Sequence, residues 1–307
     1  MKAARLNRFQ DADSVNVVDI EKPVITDNCV LVDICAAGIN PVDWKIRDGY
    51  MQPTLPLTMG GDFSGVVIDV GKNALAYVPG DEVYGGASVF RNGSGAFAQC
   101  CCADISTISF KPKSIDHIQA AAFPLAGLSA LQALTEHLRL SKGQKILIHG
   151  GAGGIGHIAI QIAKNIGAYV ATTVSTPDVD FAKQLGADEV IDYRKDQFDT
   201  KISSFDRVFD TVGGDTYKKS FKVLHKGGLI VSMIAPPDEE LMKQNDINSI
   251  TMQTKITTDK LDKLTNLIDN EKIKVHVDKI YSLEQTGDAL SYLKDQHVVG
   301  KVVLKLN

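Results

Sequence analysis

Apolar residues fall into two regimes along the chain. From Lys145 onward, short unbroken apolar runs alternate with stretches where apolar residues recur at helical spacing. The runs predict strands at about 145–149, 169–174, 189–192, 206–211 and 228–234, with a sixth over 250–256. The periodic stretches predict helices over 155–167, 178–185, 215–225 and 259–269, the last with Leu261, Leu264, Leu267 and Ile268 on one face. This alternation predicts an α/β domain with a parallel sheet wound on both sides. Its strand ends near Gly150, Val174, Thr211 and Ile234 should line one edge, where open α/β sheets bind ligands. Before Lys145 the pattern is different. Strand-like runs at 30–35, 63–70 and 82–84 are separated by Gly and Pro, with a turn at Val78-Pro79-Gly80-Asp81. Ser114 or Asp116 opens a helix, and the Ala/Leu-rich stretch 119–138, interrupted at Gly127, reads as one or two more. After Lys272 the pattern shifts again, to a strand over 277–281, a helix over 283–293 and a strand over 300–306, which should return to the N-terminal domain.

The chain is organised around Lys145–Ala163. The apolar run Ile146-Leu147-Ile148 breaks into Gly150-Gly151-Ala152-Gly153-Gly154-Ile155-Gly156, and helical periodicity follows. Gly151, Gly153 and Gly156 occupy a G-x-G-x-x-G pattern between strand and helix, the context in which it predicts dinucleotide binding. The first glycine permits the tight turn. The second lets backbone approach a pyrophosphate, and the third lets helix and strand pack closely. The helix N-terminus then offers free N–H groups to the phosphates.

Composition narrows the picture. A length of 307 residues suggests two domains, and a net charge of -4 without a basic cluster argues against nucleic acid as a partner. No apolar run approaches membrane-spanning length, and the first residues have no apolar signal core, so a cytoplasmic protein is expected. Cys29, Cys35, Cys100, Cys101 and Cys102 read as reduced thiols, because three adjacent cysteines on a strand alternate in direction and cannot form a metal quartet.

The chain resembles the medium-chain dehydrogenase/reductase superfamily, and within it the zinc-free quinone oxidoreductases, the ζ-crystallins among them. The resemblance runs through GINPVDWKIRDGY (38–50), MGGDFSGVV (59–67), VPGDEVYG (78–85), FPLAGLSALQAL (123–134), HGGAGGIG (149–156), LGADEVIDYR (185–194), FDTVGGD (209–215) and GKVVL (300–304). It implies a GroES-like β domain over 1–118 and 272–307, a Rossmann domain over 119–271, and an active-site cleft between them. Zinc-dependent relatives carry a ligand Cys where this chain has Asn40, and a His-Glu pair where it has Gly61-Asp62. Neither Asn40 nor Gly61 offers a thiolate or imidazole, and none of the dozen or so residues between Val83-Tyr84-Gly85 and Gly95-Ala96-Phe97 is a cysteine that could build a structural lobe, so no zinc of either kind is expected. Asp43 and Asp62 read as scaffold hydrogen-bonding groups in preference to paired catalytic carboxylates.

The same comparison bears on the coenzyme. The strand ending at Thr173-Val174 is followed by Ser175 and Thr176, with no carboxylate at its end. A carboxylate there would repel a 2′-phosphate, whereas hydroxyls and main-chain N–H groups can donate to it. Tyr193 matches a tyrosine that contacts the adenosine-phosphate region in relatives, and Arg194 adds a cation; NADPH is therefore favoured. One departure stands against this: relatives often place Lys or Arg shortly after the strand, and this chain has Asp178 and Asp180. If Asp178 reached the ribose, NADH would compete. Further coenzyme contacts implied by position are Ser129, Ala152, Gly154, Ile155, Thr211, Val212, Gly213, Met233 and Ile234.

Without a Lewis acid, simple alcohol oxidation is a poor fit. Hydride transfer from NADPH to a quinone or an α,β-unsaturated carbonyl suits better, because the acceptor delocalises the charge. Candidate groups around that small-molecule acceptor are Asn40, at the position of the lost metal ligand, with Tyr50 and Lys45 in the same loop. His137, His149 and His157 read as structural. Alternatives are an enoyl-thioester reductase, and a non-catalytic NADPH-binding sensor or structural protein. Homodimers are common among relatives, which would place Ser249–Ile256 at a subunit seam.

Overall fold

A computed structural model describes residues 1–10, 14–91 and 93–306, with the side chain of Arg91 left out. The chain forms two compact units, residues 1–128 with 256–307, and residues 129–255.

The first unit opens with β1 (Lys2–Leu6), β2 (Val15–Asp19) and β3 (Cys29–Ile39), then α1 (Pro41–Arg47) and β4 (Leu57–Thr58). It continues through β5 (Asp62–Val70), β6 (Glu82–Gly86), β7 (Cys100–Asp104), β8 (Ile108–Phe110) and α2 (His117–Ala122). The chain passes into the second unit within α3 (Pro124–Gln132).

The second unit holds β9 (Lys145–His149), α4 (Gly156–Ile166), β10 (Tyr169–Val174), α5 (Val179–Gln184), β11 (Glu189–Asp192) and α6 (Phe198–Lys201). It ends with β12 (Phe205–Asp210), α7 (Gly214–Ser220), β13 (Leu224–Ser232), α8 (Glu239–Asn245) and β14 (Asn248–Thr251). These strands lie in the order β11-β10-β9-β12-β13-β14, every pair parallel. That is the doubly wound order with the reversal between β9 and β12, where ligands bind at the strands' C-terminal ends. Ile146, Leu147 and Ile148 are wholly buried, as an inner strand covered on both faces requires. The helix predicted over 215–225 stops at Ser220, because Leu224 already pairs with Phe205.

Back in the first unit, α9 (Thr258–Glu271) is followed by β15 (Val277–Ser282), α10 (Thr286–Asp295) and β16 (Lys301–Lys305). β16 runs antiparallel beside β3 and parallel beside β15, completing the sheet β15-β16-β3-β5-β6-β8, with β7 also paired to β3. A smaller sheet, β2-β1-β4, lies in the same unit. The limits differ from the sequence-based 118/119 and 271/272 because α2, packed on β3, and α9 both belong to the first unit. Tyr84 donates to the Leu261 carbonyl at 2.9 Å, Ser109 to Asp262 at 2.5 Å, and the Asp269 carboxylate accepts the Ser114 N–H at 2.9 Å. No helix among the described residues is long and apolar enough to cross a membrane.

Candidate functional site

In the second unit, β9 delivers the chain to Gly150, whose φ of +71° lies in the left-handed region that glycine tolerates. The three pattern glycines differ in what a Cβ would meet. At Gly151 it would lie 2.0 Å from Thr172 Oγ1 on β10, and at Gly156 2.1 Å from the Gly150 carbonyl oxygen. Those two positions are closed by packing. At Gly153 the nearest atom is the same carbonyl at 3.3 Å, so this position alone is open. The N-cap of α4 is Ile155, whose side chain cannot cap. A helix start normally satisfies its first donors with Ser, Thr, Asp or Asn; here no side chain caps α4, and the His157 N–H goes to the Gly153 carbonyl at 3.2 Å. An open turn, a helix start without a side-chain cap and a positive dipole end fit the pyrophosphate of a dinucleotide, which Gly151, Ala152, Gly153, Gly154, Ile155 and Gly156 would hold.

A buried histidine braces the turn. Ser220 Oγ donates to the Thr216 carbonyl at 2.7 Å, so it accepts from His149 Nε2 at 2.9 Å. Nδ1 is then the acceptor for Thr173 Oγ1 at 3.0 Å, and that oxygen accepts the Gly150 N–H at 3.4 Å. Burial pushes the His149 pKa down to about 4, against the raising pull of Asp210, which keeps the ring neutral. The Thr211 hydroxyl donates to the His149 carbonyl at 2.8 Å, so it supports the turn from β12's end.

At the same sheet edge, Asp210 is wholly buried and accepts the N–H groups of Val212 and Gly213 at 3.0 and 2.9 Å and the Ser232 hydroxyl at 2.7 Å. Ser232 Oγ in turn accepts the Ile234 and Ala235 N–H groups. The two loops after β12 and β13 are therefore fixed, with Val212 and Ile234 each 51% exposed at their tips. Met233 is half-buried. Ser129 is wholly buried with its hydroxyl 2.6 Å from that of Thr254, an inward position.

At the end of β10, the two hydroxyls expected to meet a phosphate are engaged within the protein. Ser175 donates to Asp178 at 2.6 Å and Thr176 to Asp192 at 2.7 Å, so neither proton points to an incoming phosphate. Asp178 is buried against Ser175 rather than displayed on the surface. Burial raises the Asp192 pKa, but Thr176, the Arg194 N–H and Lys195 together hold it below the usual carboxylate range. Tyr193, Arg194 and Lys195 are exposed just beyond.

In the first unit, Asn40 ends the long β3 and starts α1 with its backbone N–H on Asp43 Oδ2 at 2.8 Å. Its side chain lies in a buried polar cluster. Nδ2 donates to Asp62 Oδ2 at 2.8 Å, and Oδ1 accepts from the Lys301 ammonium, which also donates to the Ile39 carbonyl at 2.9 Å. Asp62 accepts the Leu125 N–H as well, at 3.0 Å. Asn40, Asp43, Asp62 and Lys301 are each at most 3% exposed. Burial pushes the Asp43 carboxyl up to about 7, with the Asn40 N–H opposing and the Asp62 charge adding to the rise. It pushes the Lys301 ammonium down, against Asp62 and Asp43. Lys45 sits 5.7 Å from the Trp44 ring centroid, and Tyr50 meets that ring edge-on while 75% exposed. Lys45 lies on α1 and Tyr50 just beyond it, both outside the Asn40 cluster. Lys301, Asp210 and Ser232 are the participants that sequence reasoning missed, while His149 was read as structural and braces the turn. For Lys301, the one available signal was a charged residue heading an apolar β run.

Comparison with known proteins agrees with this layout. Residues 26–113 match a family model described as alcohol dehydrogenase GroES-like domain, and residues 185–304 one described as zinc-binding dehydrogenase. The chain is 35% identical to 2-methylene-furan-3-one reductase of Solanum lycopersicum, over 96% of this chain and 77% of the relative. It is 34% identical to the chloroplastic NADPH-dependent alkenal/one oxidoreductase of Arabidopsis thaliana, over 96% and 78%. The quinone oxidoreductase from Coxiella burnetii superposes with a TM-score of 0.92 at 35% identity, covering 100% of this chain and 99% of that one. The Escherichia coli quinone oxidoreductase complexed with NADPH does so at 0.89 and 26%, covering 99% and 100%. In the cluster the Asp43 and Asp62 carboxylates stand beside the Lys301 ammonium and the Asn40 amide is bonded at both ends, a donor set poorly suited to a divalent cation. Among the described residues no group of three or more His, Cys, Asp or Glu side chains could hold a metal ion.

Proposed function

The chain belongs to the medium-chain dehydrogenase/reductase superfamily, with quinone oxidoreductases and alkenal reductases among its relatives, and from that premise we propose that it is an NADPH-dependent, zinc-independent reductase of quinones or α,β-unsaturated carbonyls. The observation that carries the reading is the buried cluster. Its Asn40 amide stands at the chain position where zinc-dependent relatives carry a ligand Cys and takes the Lys301 ammonium on its oxygen, which supports an acceptor that spreads its own negative charge.

NADPH supplies the hydride when bound. The turn Gly151–Gly156 and the N-terminus of α4 hold its pyrophosphate, and Tyr193, Arg194 and Lys195 favour a 2′-phosphate. Asp178 does not oppose it, because its carboxylate is turned onto Ser175. Val212 and Ile234 offer apolar contact to a flat ring. The remaining Nδ2–H of Asn40 serves as donor to the acceptor's oxygen as an enolate or hydroquinone anion develops. Lys45 on α1 and the exposed Tyr50 beyond it are further donors close to Asn40 in the chain. A proton from water or Tyr50 completes reduction. Five free thiols suit a reducing compartment such as the cytoplasm. β14, the outer strand of the second unit's sheet, is the edge along which two copies would pair.

The test is oxidation of NADPH and NADH, in parallel, against a panel of quinones and small enones, with and without a chelator. Chelator-insensitive turnover with NADPH preferred is the expected result. Loss of activity on chelation, or preference for NADH, would overturn the corresponding part. Tight NADPH binding with no turnover of any acceptor would sink the reductase reading.

A further inference from the structure

Lys301 stands at the head of the apolar strand Lys301–Lys305, 3% exposed, with Val302, Val303 and Leu304 wholly buried behind it. A buried ammonium is costly unless its donors and charge are met. Here it is met by the Ile39 carbonyl and the Asn40 side-chain oxygen, with Asp62 bonded to the far end of that same amide. We propose that Lys301 is a positioning residue that fixes and polarises the Asn40 amide, so that its second Nδ2–H is held as a strengthened donor for the oxygen of the hydride acceptor. The inference rests on the reading of Asn40 as that donor.

Three physical points support it. An amide has two orientations related by a flip, and its partners select between them. An ammonium can only donate and an ionised carboxylate can only accept, so Lys301 at one end and Asp62 at the other permit a single orientation. A cation on the amide oxygen also draws density from the nitrogen, and hydrogen bonds in a chain strengthen one another in a low-dielectric site. The gain grows as charge develops on the acceptor oxygen, so it belongs to the transition state more than to bound substrate. Finally, the cluster is rigidly backed. A Cβ at Gly38 would lie 2.2 Å from the Ala121 carbonyl oxygen, so α2 lies directly against the end of β3 that carries Asn40.

The experiment is a double-mutant cycle in the full chain, using Lys301→Met, Asn40→Ala and their combination, with NADPH and whichever of a small enone or 1,4-benzoquinone the unmodified protein reduces. Lys301→Gln, which keeps a neutral N–H donor, accompanies Lys301→Met in case the methionine variant does not fold. Folding is judged by NADPH binding and thermal melts. Each Lys301 variant should lose about tenfold or more in kcat with the KM for NADPH within about twofold, and the double variant should be no slower than Asn40→Ala by more than about twofold. In 15N-labelled protein the Asn40 side-chain amide protons, identified by their loss in Asn40→Ala, should move upfield when Lys301 is replaced. A folded Lys301→Gln with unchanged kcat and unmoved amide protons overturns the inference and leaves Asn40 standing as donor. So does a double variant whose loss is the product of the two single losses. Full kcat in Asn40→Ala overturns the donor reading itself and this inference with it.

Discussion

Gly153 and Gly156 lie three residues apart and should respond to alanine differently. At Gly153 the methyl clears the Gly150 carbonyl with slight adjustment and projects where a pyrophosphate would approach. Gly153→Ala should weaken NADPH binding about tenfold, roughly 1.4 kcal/mol, with little change in melting temperature. Gly156→Ala must displace the turn and should lower both; fluorescence titration beside thermal melts separates the two. His149 gives a pH prediction. Its folded pKa of about 4 lies below the ordinary 6.5, so its contribution is present above pH 6.5 and is lost as pH falls through about 4. The full effect is roughly 3 kcal/mol, and His149→Gln should flatten that part of the urea-unfolding stability profile. Asp43 works in the opposite sense. Its raised pKa gives a contribution present below 3.8 and lost as pH rises through about 7. The glycines were legible because the chemistry of a tight turn is written in adjacent residues. Lys301 was not, because its partner Asn40 lies 261 positions away and only the fold brings them together.

Among elements, β9 and β10 fall at the predicted residues, since inner parallel strands appear as apolar runs, and the edge strand β11 does so as well. The helices α1, α6 and α8 were not anticipated. α6 has only 4 residues, and α8 buries no residue, so neither carries an apolar stripe to read. α4 ends at Gly167, in the left-handed conformation at φ +88°, with its N–H on the Ala163 and Lys164 carbonyls. Gly167→Ala should therefore cost about 1 kcal/mol without altering NADPH affinity. A thermal melt with and without coenzyme checks both halves of that statement. The strand ends were legible as a ligand edge. The Asp210–Ser232 bracket that fixes two of the loops there was not, because its hydrogen bonds run between strands far apart in sequence.

For the whole molecule, coenzyme choice is the property most open to a simple test. Replacing Arg194 and Lys195 together with alanine should raise the KM for NADPH about tenfold, leave that for NADH nearly unchanged, and reduce the salt sensitivity of the former. The α/β class and the two-unit plan were legible because anchors recur along nearly the whole chain in one order. The assignment of α9 was not, because its partners Tyr84, Ser109 and Ser114 are distant in sequence. The position of β16 has a consequence for synthesis. The second unit is one continuous segment, whereas the first has a gap beside β3 that only β16 fills, bringing Lys301 to a carbonyl 262 residues earlier. At about 5–20 residues per second, Ile39 waits roughly 15–50 s on the ribosome for that partner. During that interval β3 presents an open edge of the kind that recruits other chains. Nascent chains stalled before residue 300 should bind holdase chaperones through their N-terminal segment while residues 129–255 already resist protease.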